Sequence, residues 1–106
     1  MTKRFSIFQV NSSEHRDAAI TLMNGFGDIA KTASEMFEKD IYDLAAFIHA
    51  DNLDQVFEYG NIGGPEGSIK PMGRMRSVSV GDLIWCTEDK KMHIVSRLGF
   101  EEVVLG

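Results

Sequence analysis

IYDLAAFIH, running from Ile41 to His49, decides the fold of this 106-residue chain. Read with a period of two, it is a strand with Tyr42, Leu44, Ala46 and Ile48 on one face. Read with a period near 3.6, Ile41, Leu44 and Ile48 extend the stripe of Ile29, Ala33, Met36 and Phe37. A single helix of about 20 residues would then follow Asp28, its capping residue. Under the strand reading the helix stops near Lys39. Periodicity alone does not choose between them.

The flanking segments are clearer. RFSIFQVNSS, Arg4 to Ser13, alternates: Phe5, Ile7 and Gln9 face one way, Ser6, Phe8 and Val10 the other, the pattern of a strand. Ser12 or Ser13 can cap a following helix carrying Ala18, Ala19, Leu22 and Met23, which ends at the glycines of NGFGD. DNLDQVFEYGN, Asp51 to Asn61, reads as a helix capped by Asp51 or Asn52, with Leu53, Val56 and Phe57 as its apolar stripe and a stop at Gly60-Asn61. Residues 60–76 hold five of the ten glycines and both prolines, which predicts a long loop. The C-terminal third reads as strands: DLIWCT, a turn at EDKK, MHIVSRL and GFEEVVL.

RSVSVGDLI, Arg76 to Ile84, reads mainly as a turn opening a strand. Gly81 permits the backbone, Asp82 can accept from N–H groups two residues on, Val78 and Val80 point inward, and Ser77 and Ser79 point outward. The competing reading makes Arg76, Ser77 and Ser79 a polar ligand surface.

The composition, 43% apolar and 25% charged, is that of a globular protein. No apolar run approaches the ~18 residues of a membrane span, and the N-terminal run is too short for a secretory leader, so a cytoplasmic, single-domain protein spanning 1–106 is expected. Cys86 is the lone cysteine, which rules out an internal disulfide, and Ile84 and Trp85 beside it suggest a small buried hydrophobe. His15, His49 and His93 show no metal-ligand spacing, GNIGGPEG lacks the order of a phosphate cradle, and no cofactor is expected. A pairing of Cys86 with a histidine and a carboxylate remains open, because such groups meet in space rather than in sequence.

Charge is uneven. Residues 35–66 carry Lys39 alone against eight carboxylates, a net −7 that exceeds the whole-chain −5. That block disfavours phosphate contacts and favours a basic partner or a well-solvated face. Lys70, Arg74 and Arg76 form the densest basic patch, with Met72 and Met75 as apolar groups in the same polar loop. Opposite charge on neighbouring segments also suits a homo-oligomer.

Four segments recur together in a known group. LMNGFGD, IYDLAAFIHADNLDQVFEYGN, RSVSVGDLI and IVSRLGFEEV, spanning about residues 20–104, resemble small phage and bacterial proteins related to the YodL-like domain. The resemblance favours a strand at Ile41–His49. Such proteins usually have a glycine ahead of that segment, where this chain has Lys39-Asp40. They also often carry a tryptophan in the loop before the arginine-serine block, and this loop has none. The resemblance implies an origin in a phage or mobile element and supplies no mechanism.

The expectation is therefore an α+β fold: an N-terminal strand, two to three helices and a C-terminal antiparallel β section. The expected function is non-enzymatic. Lys70, Met72, Arg74, Met75 and Arg76 of the loop, with Asp43, Asp54 and Glu58 of the acidic segment, would bind a host or phage protein. The alternative is a nucleic-acid contact through the basic loop 70–76.

Overall fold

A computed structural model of the chain describes residues 2–10, 15, 17, 20–21, 28–73, 75–97 and 99–104. The described residues form an α+β fold. In chain order the elements are β1 (Lys3–Val10), α1 (Ile29–Glu38), β2 (Tyr42–Ala50), α2 (Leu53–Asn61), β3 (Ile69–Pro71), β4 (Leu83–Cys86), β5 (Lys91–Ser96) and β6 (Gly99–Val103). The strands make one antiparallel sheet in the order β3-β2-β1-β4-β5-β6. Among the described residues no helix is long and apolar enough to cross a membrane. The helix expected after Ser12 or Ser13 falls mostly outside the described residues.

The strand reading of this segment holds, with β2 starting at Tyr42, and the reason lies just before it. Asp28 caps α1 by accepting the Lys31 N–H at 3.1 Å. At the other end Asp40 takes φ 62°, in the left-handed region. The Ile41 N–H then reaches the Met36 carbonyl at 3.1 Å and the Asp40 N–H reaches Phe37 at 3.2 Å. This is the six-to-one and five-to-two closure that ends helices, usually on glycine. Asp40 performs that role here, so the apolar stripe cannot continue and the chain leaves as β2.

β2 does not keep one face. Ile7 pairs with Ala46, but Phe8 pairs with Leu44, so Ala45 is an extra residue in the ladder. Its carbonyl accepts the Met72 N–H at 2.9 Å. The extra residue reverses the pleat. Tyr42 and Leu44 lie opposite Val10 and Phe8 on one side, while Ala46, Ile48 and Ala50 lie opposite Ile7, Phe5 and Lys3 on the other. The uniform face drawn from Tyr42 to Ile48 is thus broken at Ala45, which a strict period of two cannot represent.

The sheet is covered on both faces. On one, Ile29 and Ala33 of α1 pack with Val10, Tyr42, Leu83, Met92, Ile94 and Val103. On the other, Val56 of α2 and Val78 pack with Phe5, Ile7, Ile48, Ala50, Ile84, Cys86 and Val95. Leu83 and Ile84 are consecutive on β4 and belong to opposite cores, as a pleated strand requires. Gly60 lets α2 settle onto Val78, since a Cβ there would stand 2.3 Å from a Val78 methyl.

The loop expected over residues 60–76 is interrupted. Ile69–Pro71 forms β3 and pairs with Ala46–Ile48, placing a proline in an edge strand where its missing N–H costs little.

Candidate functional site

The face covered by α2 also carries a hollow of about 370 Å³. Its lining draws on six parts of the chain. Lys3 and Phe5 come from β1, Asp51, Asn52, Leu53 and Asp54 from the start of α2, Cys86 from β4, Asp89 from the following turn, His93 from β5 and Phe100 from β6. Strand register explains the gathering: Phe5 pairs with Cys86, and Lys3 and Phe5 are two residues apart, so they share a side. His93 pairs with Ile84, which stands two residues before Cys86 on the same face. Phe5 and Cys86 are buried.

Hydrogen bonds hold the rim. Asn52 caps α2 by accepting the Gln55 N–H at 2.9 Å, and the Gln55 side chain returns to the Asp51 N–H at 2.9 Å. That reciprocal pairing satisfies two otherwise orphan donors and fixes the Asp51–Asp54 corner. Opposite it, Lys3 Nζ donates to Asp89 Oδ2 at 3.0 Å, and the Cys86 thiol donates to the same oxygen at 3.5 Å. The hydrogen bond from Lys3, with a smaller one from Cys86, holds the Asp89 carboxyl below its ordinary pKa, and Asp89 in turn raises that of Lys3. Glu88 accepts the Arg4 N–H at 2.8 Å, tying the turn to β1. Beyond the rim Phe57 of α2 is 41% exposed and meets the Phe100 ring edge-on at 6.5 Å between centroids.

His93 Nδ1 is buried with no hydrogen-bond partner, and no hydrogen bond links His93 to Cys86. Among the described residues no group of three His, Cys, Asp or Glu side chains is placed to hold a metal ion. Asp51 and Asp54 are both exposed, and among the described residues no cation lies within ion-pair distance of either.

A second polar cluster sits under RSVSVGDLI and is a lock. Asp82 is buried, and its carboxylate accepts from Ser79 N–H at 2.9 Å, Gln9 Nε2 at 3.0 Å and Arg76 at 3.3 Å. Burial pushes the Asp82 carboxyl up to about 6 against the downward pull of Arg76. Gln9 also accepts the Arg76 N–H at 3.2 Å and donates to the Arg76 carbonyl at 2.9 Å. The Tyr42 hydroxyl donates to the Gly81 carbonyl at 2.6 Å, and burial, then the nearby Asp82 charge, holds its pKa well above the usual value. With Gly81 at φ 97° and the Asp82 N–H on the Ser79 carbonyl at 3.0 Å, the stretch is the turn that its residues announced. Asp82 reaches back three residues to Ser79 instead of forward.

The residues expected to bind a partner do not converge. Lys70 is exposed on β3, opposite Phe47, and Met72 beside it is 49% exposed. Arg74 lies outside the described residues. Met75 packs against the α2-side core, so it is not the free apolar group expected of the loop. Arg76 is engaged by Asp82, Ser79 and the Val10 carbonyl. Asp43 is exposed on β2 opposite Gln9, while Asp54 and Glu58 are exposed on α2. The acidic block is divided as well, because Glu35 and Glu38 ride on α1, across the sheet from α2.

Of the expected residues only Asp54 belongs to the hollow. Spacing in the sequence brings none of Lys3, Asp51, Cys86, Asp89 and His93 together; it only leaves room for Cys86 to meet a histidine and a carboxylate. The available signal was the alternation along β1, β4 and β5; what it lacked was the order of the strands. No protein-family model, no curated protein and no solved structure matches this chain.

Proposed function

We propose that this chain is a small non-enzymatic accessory protein that binds another protein through the hollow beside α2. The observation that carries this reading is the meeting of Asp51 and Asp54, two carboxylates with no ion-pair partner among the described residues, with apolar walls from Phe5, Leu53 and Phe100 in one concavity. Concave, mainly apolar sites with a few fixed polar groups are the usual form of recognition sites. Exposed Phe57 extends the apolar surface beyond the rim. The resemblance to YodL-like proteins supports a phage or mobile-element origin, and with it a host or phage protein as partner in the host cytoplasm.

The nucleic-acid alternative has less support. It needs Lys70, Arg74 and Arg76 to act together, and the Arg76 guanidinium is taken up by Asp82. A flat mobility-shift titration at low salt disposes of it.

The binding reading is tested by capture from bacterial lysate on immobilised protein. A partner held by the wild-type chain and lost on Leu53→Asp or Phe57→Asp supports it. Capture of nothing at either low or high salt ends it.

A further inference from the structure

Resting on that reading, we infer that the hollow receives a basic side chain, lysine or arginine, from the partner protein. Three aspartates line the hollow against one lysine. Lys3 already shows how the rim treats an ammonium: its Nζ sits 3.0 Å from Asp89 Oδ2, drawn from the same lining. The opposite corner, Asp51 and Asp54, offers the same acceptor chemistry with no cation among the described residues to fill it. Phe5, Leu53 and Phe100 belong to the same lining.

A lysine or arginine fits that mixture of carboxylates and apolar groups. Its methylene stem covers apolar surface while its cation stays at the wet rim. The aromatic walls add attraction for a guanidinium or ammonium over a ring face. An acidic ligand would meet uncompensated carboxylates, and a purely apolar one would strip water from them with nothing in return.

The probe is acetyl-Gly-Arg-Gly-amide, titrated into the folded chain and followed by amide chemical shifts, with the citrulline peptide as neutral isostere. Expected is binding at about 1 mM, as suits one side chain, weakened by salt. Shifts should concentrate at Lys3, Phe5, residues 51–54, Cys86 and Phe100. Asp51→Asn/Asp54→Asn should weaken binding roughly tenfold, and Asp51→Asn alone, which leaves α2 intact, roughly threefold. Equal binding of the citrulline peptide, or no change in either variant, overturns the inference. Agmatine binding as tightly as the peptide reassigns the hollow to a small amine and overturns the protein assignment. Lysate capture that survives in Asp51→Asn/Asp54→Asn sinks the inference and leaves the binding reading standing. Loss of all capture by the wild-type chain sinks the reading, and the peptide titration still decides the hollow's chemistry.

Discussion

The Arg76 guanidinium lies 3.3 Å from the Asp82 carboxylate, with Arg76 38% exposed and Asp82 2% exposed. One partner faces water and the other does not, so the two have unequal consequences. Arg76 offsets a buried charge, and Gln9 and Ser79 supply the remaining hydrogen bonds. The turn, the start of β4 and the end of β1 are thereby joined through one carboxylate.

That carboxylate sets a pH dependence. Its folded pKa, about 6, exceeds the ordinary 3.8, so the folded chain holds the proton more tightly than the unfolded one. The stability it contributes is full below about pH 3.8 and declines as pH rises through about 6, by roughly 3 kcal/mol. Asp82→Asn should flatten this part of the profile. Urea midpoints read by Trp85 fluorescence check it; identical slopes for both proteins would falsify the assignment.

Arg76→Ala should cost about 2 kcal/mol at pH 7, a value reduced from that of a fully buried pair because Arg76 is partly exposed. It also raises the Asp82 pKa further. The loss should therefore shrink toward pH 4, where the carboxyl is neutral in either protein. A loss independent of pH would mean that Arg76 acts through packing alone.

Gly60→Ala places a methyl 2.3 Å from Val78 Cγ2 and 3.1 Å from its Cβ. Neither contact is with a flexible chain end, so α2 must lift or Val78 must shift. The expected destabilisation is about 1–3 kcal/mol, seen as a lower melting temperature. An unchanged melting temperature would show that α2 does not press on residue 78 in solution.

Asp40→Gly should stabilise the chain. Asp40 closes α1 at φ 62°, which an L-residue adopts at a cost and glycine adopts freely. The gain, about 0.5–1 kcal/mol, is limited by glycine's greater freedom when unfolded. Thermal denaturation of Asp40→Gly against Asp40→Ala separates the two effects, since alanine should destabilise.

Local chemistry made several elements readable in advance. Asn52 marks the start of α2, Gly81 and Asp82 mark their turn, and the alternation of β1 survives intact because both its faces are buried. The end of α1 was hidden because Asp40 does the work of a glycine, which residue type alone does not advertise. The exchange of faces at Ala45 was hidden because a ladder insertion is a property of two strands together. The hollow was hidden for a related reason. Phe5 and Cys86 become neighbours only once β4 is laid beside β1, a pairing of residues 81 positions apart. The acidic block misled in the opposite sense: adjacency in sequence suggested one surface, and the sheet places its helices on opposite sides.

Ala45 makes β2 a shared beam. Its first half sends Tyr42 into one layer and its second half sends Ile48 and Ala50 into the other, so the two layers share this strand. Sliding β2 by one residue to favour either layer would strip the other of its footing. Loosening at α1 must therefore be felt under α2, and whatever seats itself beside α2 braces the far side of the molecule as well.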